Sequence, residues 1–473
     1  MSFAARFILY YFIIFVSEAR VQEYSPVCRG LLSEELIKEI GSYRHVKDEI
    51  FRYVLDGDFK RRTYDELAKF VDIFGGRPSG SKVLEDSIDY MIQLTQQEGI
   101  QDIVTEDVEV PHWVRETEKL TMVQPRIKNI SILGLGKSVS TPSNGLSAEV
   151  IVVRNFDELE KIPDKDVEGK IVLFDPKFTS YSETVVYRSQ GAVKAGAKGA
   201  VASLVRSIAP FSINSPHTGN QNYEDKVKKI PTAAISLEDA DLIRRIYDRK
   251  EKVVLNITMS STYDTKISRN TLIDLKGTNY PEQLVIVSGH IDSWDVGQGA
   301  MDDGGGLFIS WAAPLILKRL NLRPKRTLRS IFWTAEELGL VGAYAYEEKH
   351  RDKNHNINFI MEADGEGTFA PRGLVVGGTS KARCIVAEVL KLFESVNATT
   401  LVESNSFGTD IDVFIKKGIP GATLHTSNER YYWFHHTAGD TMNVEDPDEL
   451  DLCTAFWTSV AYIVADISAD IPR

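Results

Sequence analysis

Histidine and carboxylate residues follow several apolar stretches of this sequence, at the points where predicted strands end. His290 ends the run QLVIVSGH, Glu336 and Glu337 follow SIFWTA, and Asp364 ends NFIMEAD. A glycine-rich loop, GAMDDGGG, adds Asp302. In α/β sheets, side chains that follow the carboxyl ends of neighbouring strands converge on one crevice. Imidazole and carboxylate groups bind catalytic metal ions, so this spacing predicts a metal centre at one edge of the sheet.

The pair Glu336–Glu337 is the most informative of these features. Adjacent carboxylates at the end of an apolar strand repel each other unless one binds a cation and the other holds or moves a proton. Glutamate pairs also occur as solvated features of helix surfaces, and Asp364 could equally be a helix N-cap. The position of the pair at the rim of the predicted sheet favours the functional interpretation.

Two histidines have a carboxylate nearby in the sequence. Asp292 follows His290 by two residues, a spacing that allows its carboxylate to accept a hydrogen bond from the imidazole and orient the other ring nitrogen toward a metal. In RYYWFHHTAGDT, His436 and Asp440 form a similar pair. A histidine at a strand end is often structural, and in the second motif His435 is an alternative ligand.

Secondary-structure patterns predict an α/β protein with an insertion. Strands and helices alternate over residues 45–126 and again over residues 266–473, which predicts a largely parallel mixed sheet flanked by helices. Residues 127–265 contain short strands and a helix rich in Ala and Gly. This segment resembles the protease-associated domain, a small α/β module inserted in several peptidases. The alternative is that it elaborates the sheet of the host domain.

The composition argues against one class of partner. The formal net charge is -12, the isoelectric point is near 5.4, and no long basic run is present. Nucleic-acid binding requires a basic surface, so we expect no nucleic-acid partner. Hydrophobic residues make up 43% of the chain and charged residues 26%, values typical of a folded globular protein.

The N-terminus predicts export from the cytosol. Arg6 precedes the apolar run FILYYFIIFV and small residues follow, so residues 1–19 are predicted to be a signal peptide. The run of about ten apolar residues is shorter than the ~20 that a membrane-spanning helix needs, and we predict no membrane span elsewhere. Residues 20–44 are a candidate propeptide, and the protein is expected to be secreted.

Export would give the chain access to the glycosylation machinery. The sequons at Asn129, Asn256 and Asn397 are therefore predicted glycosylation sites. The three cysteines are too few for a disulfide framework, and they lack the paired spacing of a cysteine zinc site. Any single disulfide bond leaves one thiol over.

Five motifs resemble those of a known family. In the order SGHIDS, GAMDDGG, TAEELGLVGA, MEAD and HHTAGDT, they are similar to the co-catalytic zinc exopeptidases, which include bacterial leucyl aminopeptidases and glutamate carboxypeptidase. The resemblance implies two zinc ions per chain. It makes Asp302 the bridging carboxylate, with His290 and Asp364 completing one zinc site and Glu337 and His436 the other.

The same resemblance leaves Glu336 as the general base that activates a metal-bridging water. Asp292 is a second candidate catalytic residue, because of its spacing from His290. One departure concerns the bridging position. The family loop often carries Asn or Ser after the bridging residue, whereas this chain has Asp302 followed by Asp303. The sequence favours Asp302 and leaves Asp303 as the alternative. The glycines around this loop allow close backbone approach, although a surface turn would also use them.

A closer resemblance, to a branch of the family that carries the inserted domain, covers nearly all of the chain. It implies a secreted or lysosomal homodimer that hydrolyses small peptides, chiefly dipeptides with free termini. The motifs themselves do not distinguish aminopeptidase, carboxypeptidase and dipeptidase action. Two other classes are alternatives: a catalytically inactive, receptor-like binding protein, and a cyclase-type transferase with a single zinc ion. Metal content separates these classes.

Overall fold

The computed structural model describes Cys28 and residues 30–473. The predicted signal peptide, residues 1–19, lies outside the described residues. So do residues 20–27 and 29 of the candidate propeptide. Among the residues that are described, no helix combines the length and the apolar character that crossing a bilayer would require.

Helices and strands alternate along most of the chain. The helices are α1 (Glu34–Ser42), α2 (Arg44–Leu55), α3 (Arg62–Phe74), α4 (Lys82–Gln97), α5 (Phe156–Glu160), α6 (Asp164–Val167), α7 (Tyr181–Thr184), α8 (Val186–Ala197), α9 (Leu237–Asp248), α10 (Gly305–Arg319), α11 (Val341–His350), α12 (Ser380–Leu390), α13 (Asp412–Ile415), α14 (Tyr431–Phe434) and α15 (Pro447–Asp466). The strands are β1 (Ile103–Gln124), β2 (Lys128–Ile130), β3 (Ile132–Gly134), β4 (Leu146–Val153), β5 (Ile171–Phe174), β6 (Ala202–Arg206), β7 (Thr232–Ile235), β8 (Val254–Leu275), β9 (Tyr280–His290), β10 (Arg326–Trp333), β11 (Ile357–Glu362), β12 (Pro371–Gly377), β13 (Thr400–Glu403) and β14 (Gly421–Thr426). A π-helical turn covers Ala300–Gly304.

The strands form one mixed sheet, and its central part is parallel. Strands β10, β9, β11 and β14 are neighbours in that order and all run in the same direction. In register, Trp333 of β10 lies opposite His290 of β9, and Glu362 of β11 lies opposite Ser288. The carboxyl ends of β9, β10 and β11 therefore meet at one edge. This architecture confirms the fold class that the alternating pattern predicts.

Two helices cover one face of the parallel strands. Helix α10 is buried from Gly305 to Leu317, and α15 is buried over most of its length. Helices that are apolar on all sides are buried in a large core, and these two pack against each other and against the strands. Helix α15 begins at Pro447, directly after Asp446, whose carboxylate accepts hydrogen bonds from the first free amides of the helix.

A long two-stranded ribbon joins the parallel strands to the rest of the sheet. Strands β1 and β8 each contain 22 residues and pair antiparallel. One end of β8 pairs with β10 and the other end pairs with β4, so the ribbon continues into a second group of strands, β4 to β7 and β3. Strand β8 crosses the predicted end of the insertion at residue 265 without interruption. The predicted domain boundaries remain a prediction.

The N-terminal helices pack on the main core. Helices α1 and α2 follow each other directly, with only Tyr43 between them. Leu36 and Ile40 of α1, which lie inside the candidate propeptide, are buried in this core. Cys28 forms a disulfide bond with Cys384 of α12, and Cys453 is a buried free thiol.

A buried ion pair links β8 to β10. Arg329 lies opposite Asp274 in the antiparallel register, and its guanidinium donates two hydrogen bonds to the carboxylate at 2.7 and 2.8 Å. Burial raises the pKa of the Asp274 carboxyl, but the hydrogen bonds and charges of Arg329 and, secondly, Lys276 outweigh burial and bring the pKa below its usual range. The pair therefore stabilises the sheet in the form in which both groups are charged.

We expect Asp274→Asn to lower the free energy of unfolding by about 2 kcal/mol, because Arg329, which is only partly exposed, would keep its charge without the carboxylate that pairs with it. The folded pKa of Asp274 lies below the unfolded value, so the contribution is complete above about pH 4 and is lost only as the pH falls through the folded pKa. Urea unfolding at about pH 7 and about pH 5 should give the same deficit.

The matched control for this prediction is the double variant Asp274→Asn with Arg329→Met. Removing both charges should recover most of the lost stability, since no buried charge is then left alone. A single variant as stable as the wild type, or a deficit that already disappears between pH 7 and pH 5, would contradict the assignment.

Candidate metal centre

The five predicted ligands lie together at the carboxyl edge of the parallel strands. His290 Nε2 lies 3.2 Å from Asp302 Oδ1, and His436 Nε2 lies 3.1 Å from Asp302 Oδ2. His436 Nε2 also lies 3.1 Å from Glu337 Oε2. Ligand atoms of His290, Asp302 and Asp364 lie within 4.8 Å of one another. The two oxygens of the Asp302 carboxylate thus approach different histidines.

Asp302 and Asp303 make different contacts in the structure. One carboxylate oxygen of Asp303 accepts a hydrogen bond from the amide of His290 at 3.0 Å, and the other accepts from the amide of Gly306 at 3.2 Å. Asp303 is therefore occupied by backbone amides of β9 and α10. A Cβ on Gly306 would lie 1.7 Å from the Ala363 carbonyl oxygen, so only glycine allows α10 to start this close to the end of β11.

The two adjacent histidines stack on each other with ring centroids 3.6 Å apart. His435 Nε2 lies 3.6 Å from Asp302 Oδ2, farther than His436 Nε2, and only His436 also reaches Glu337. His436 has a φ of 61°, in the left-handed region that side chains other than glycine rarely adopt. Such strain occurs at functional sites where the surrounding structure imposes it. The shorter distances favour His436 over His435 as the candidate metal ligand.

The predicted role of the Asp292 carboxylate as the hydrogen-bond acceptor of His290 is wrong. His290 Nδ1 lies 2.9 Å from the backbone carbonyl oxygen of Asp292, which can only accept a hydrogen bond, so Nδ1 carries the proton and Nε2 faces Asp302. The Asp292 carboxylate instead accepts the amides of Glu336 at 3.0 Å and Glu337 at 3.3 Å. Both amides lie just beyond the end of β10, where no neighbouring strand accepts their hydrogen bonds. The Asp292 carboxylate accepts them instead and so positions the turn that carries both glutamates.

The predicted pairing of His436 with Asp440 is also wrong, because the Asp440 carboxylate accepts backbone amides instead of the imidazole N–H. Asp440 accepts the amides of Ala300 at 3.1 Å, Met301 at 2.8 Å and Asp302 at 3.2 Å, so its carboxylate holds the loop that carries Asp302. His436 Nδ1 instead lies 3.2 Å from the backbone carbonyl oxygen of Thr218.

Residues of the predicted insertion complete the surroundings of the two histidines. The amide of Thr218 donates to the His436 carbonyl oxygen at 3.0 Å, and His217 Nδ1 lies 2.7 Å from the His435 carbonyl oxygen. Sequence reasoning missed this contribution. Thr218 is 218 residues from His436, and no motif around it signals a role at the site.

The cleft above these residues has a volume of about 970 Å³. Side chains from the predicted insertion and from the segment after it line the cleft, including Tyr181, Arg188, Glu336, Phe407, Tyr431 and Tyr432. Glu336 lines the cleft and is partly exposed, and its backbone amide donates to the Asp292 carboxylate. Burial raises the pKa of the Glu336 carboxyl well above its usual value, and nearby Asp364 adds to the effect despite the opposing charge of His290.

Several carboxylates are buried together in this cluster. Burial raises the pKa of Glu337 to about 7 and that of Asp364 to about 6, and the Asp302 carboxylate adds to both shifts. Burial lowers the pKa of His436, but Glu337 and Asp302 outweigh it and raise the value to about 9. Within the described part of the chain, Asp302 Oδ2 and Glu337 Oε1 are buried and accept no hydrogen bond. Divalent cations would supply the missing partners, and this set of imidazole and carboxylate donors fits zinc.

The predicted glycosylation sites are all exposed. Asn129 of β2 and Asn256 of β8 both lie opposite Thr121 of β1, on either side of it in the sheet. Asn397 is exposed near the start of β13. Glycosylation at these positions stays a prediction.

Comparison with known proteins identifies the family. Residues 270–461 match the model of peptidase family M28, and residues 137–243 match that of the PA domain. Carboxypeptidase Q from Mus musculus is 48% identical over 440 residues, which cover 93% of this chain and 93% of the mouse protein. The chain belongs to peptidase family M28. Membership confirms the enzyme class that the motifs predict, an exopeptidase.

Solved structures of M28 peptidases share the fold. The peptidase M28 precursor from Shewanella amazonensis superposes with a TM-score of 0.86 at 28% identity, over 92% of this chain and 99% of that chain. A zinc aminopeptidase from Bacillus subtilis has a TM-score of 0.65 at 20% identity, over 88% and 97% of the two chains. The second similarity concerns the fold alone. Together with the family matches, these structures confirm an M28 peptidase fold with an inserted PA domain.

Proposed function

We propose that this M28 peptidase binds two zinc ions and uses them to hydrolyse small peptides. His290 and Asp364 would hold one ion, Glu337 and His436 would hold the other, and Asp302 would contribute to both sites. The observation that carries the proposal is the position of Asp302, whose two carboxylate oxygens lie 3.2 Å from His290 Nε2 and 3.1 Å from His436 Nε2. A carboxylate in this position can serve both metals at once.

Glu336 acts as the general base. Zinc, when bound, supplies a Lewis acid for the scissile carbonyl and lowers the pKa of the nucleophilic water. Glu336 takes a proton from that water and returns it to the leaving amine. A carboxylate that faces the cleft and has a raised pKa is suited to hold this proton between the two steps. Asp292 positions Glu336 by accepting its backbone amide.

The proposed substrates are dipeptides with free termini, and the proposed location is the secretory pathway, either outside the cell or in the lysosome. The similarity to carboxypeptidase Q supports the substrate class. The disulfide bond between Cys28 and Cys384 supports an oxidising compartment, and the exposure of the sequons supports access to glycosylation. We also propose a homodimer, which sedimentation of the purified protein would test.

Metal analysis of the purified protein tests the proposed function. We expect about two zinc ions per chain, as a two-metal site requires. A chelator should abolish hydrolysis of a dipeptide panel, and added zinc should restore it. Protein that binds no metal and cleaves no dipeptide would instead support a receptor-like binding protein, and a single zinc ion would contradict the bridging role of Asp302.

A further inference from the structure

The turn that carries the proposed general base is strained at both ends. This turn, called the catalytic turn below, follows β10 and runs from Ala335 to Leu340, whose φ values are 56° and 57°. Side chains other than glycine rarely adopt this left-handed region, and such conformations persist only where the surrounding structure holds them. The Asp292 carboxylate holds the first half of the turn by accepting the amides of Glu336 and Glu337.

Lys137, in the inserted segment, contacts the second half of the catalytic turn. Its Nζ donates a hydrogen bond to the Leu338 carbonyl oxygen at 2.9 Å. The preceding residue, Gly136, packs closely against the same region, because a Cβ on it would lie 2.5 Å from the Trp294 ring and 3.2 Å from the Leu338 side chain. The Trp294 ring in turn lies 5.5 Å from the His436 ring, centroid to centroid. Gly136 and Lys137 thus join the inserted segment to the turn that carries the base.

Two features of Lys137 are unfavourable for a residue that only connects two strands. Its φ is 68°, and it occupies the third position of a β-turn that is closed by a hydrogen bond from the Ser138 amide to the Leu135 carbonyl oxygen at 2.9 Å. Glycine or asparagine is the usual residue where a turn requires a positive φ. Burial also lowers the pKa of the Lys137 ammonium, and no carboxylate among the described residues offsets this effect. Glycine at this position would avoid both the strain and the partial burial of a charge.

We infer that Lys137 is a positioning residue for Glu336. Its ammonium donates a charge-assisted hydrogen bond, and this bond holds the half of the catalytic turn that Asp292 does not hold. Lys137 lines a groove of about 460 Å³ together with Tyr223 and Lys229, separate from the catalytic cleft. It therefore acts on the geometry of the base and not on the substrate. The inference rests on the proposed function and extends the support of the base to the inserted segment.

Lys137→Met tests this inference, because it removes the amine and keeps an unbranched side chain. We expect kcat for dipeptide hydrolysis to fall by about 10- to 100-fold, since a displacement of about 1 Å at a catalytic group costs up to about 100-fold. KM should change little, because Lys137 does not line the cleft. Lys137→Arg, which keeps a charged donor, should recover part of the lost kcat. Assays at saturating zinc, with zinc content measured in every variant, separate this effect from loss of metal.

Lys137→Gly separates positioning from a structural role. Glycine adopts a positive φ without strain, so this variant should unfold at about the temperature of the wild type and still lose as much kcat as Lys137→Met. Lys229→Met is the matched control, because Lys229 is exposed in the same groove, over the ring of Tyr223. It should keep the kcat and KM of the wild type.

Wild-type kcat in Lys137→Met or Lys137→Gly would overturn the inference while the proposed function stands. A loss that lies in KM would also overturn it, and so would a loss of kcat that follows the unfolding temperature or the zinc content of the variants. Those results would leave Lys137 as a structural residue. A wild-type protein that holds zinc but hydrolyses no dipeptide would overturn the proposed function, and the inference with it.

Discussion

Glu336→Gln is expected to lower kcat for dipeptide hydrolysis by about 100- to 10,000-fold, because glutamine cannot accept the proton of the attacking water. Glutamine keeps the size of the side chain, and the backbone amide of residue 336 keeps its acceptor in Asp292. The side chain of Glu336 is not among the proposed ligands. Zinc content and thermal stability should therefore match those of the wild type, and the loss should lie in kcat.

Steady-state kinetics combined with metal analysis checks this expectation. Glu348→Gln is the matched control, because Glu348 is exposed on the neighbouring helix α11 and should tolerate the same change without effect. Near-normal turnover in Glu336→Gln would rule out the residue as the general base. Loss of zinc together with activity would show that Glu336 binds metal instead of moving a proton.

Asp302→Asn is expected to weaken both zinc sites at once and to abolish activity. One oxygen of Asp302 lies beside His290 and the other beside His436, and an amide can offer a metal only one neutral oxygen. Metal analysis after dialysis should find well below one zinc ion per chain. The amides held by Asp440 belong to the backbone of this loop, so the fold around the site should persist.

Asp364→Asn provides the comparison for this experiment. The ligand oxygen of Asp364 clusters with His290 and Asp302 but not with His436, so this variant should lose one zinc ion and keep the other. Two retained zinc ions in Asp302→Asn would contradict the bridging position. Loss of a single ion in that variant would return Asp303 to consideration as the bridging residue.

Much of this molecule follows from local sequence patterns. Continuous apolar runs predict the buried parallel strands β9, β10 and β11, because such strands contact helices on both faces. The residues that end those runs are predicted as ligands for the same reason, since the carboxyl ends of parallel strands meet at one edge. The structure places His290, Glu337 and Asp364 at this edge. Apolar periodicity and the residues that end each run are local properties, and one sequence is enough to find them.

Hydrogen-bond partners of the site could not be predicted in the same way. Asp292 and Asp440 stand at spacings that suit an imidazole, yet both carboxylates accept backbone amides of distant segments. Buried amides at strand ends and in tight loops need acceptors, and which carboxylate reaches them depends on how the loops fold together. Sequence spacing alone does not contain this information.

The sequence by itself determined the family, the parallel sheet and the identities of the clustered histidines and carboxylates. Only the tertiary structure decided how the insertion takes part. Thr218 and Arg188 are 218 and 248 residues from His436 along the chain, and they reach it because the ribbon of β1 and β8 carries the inserted strands back to the cleft. Contacts between such distant segments arise from packing and from the need to satisfy buried polar groups, which no local pattern of residues records.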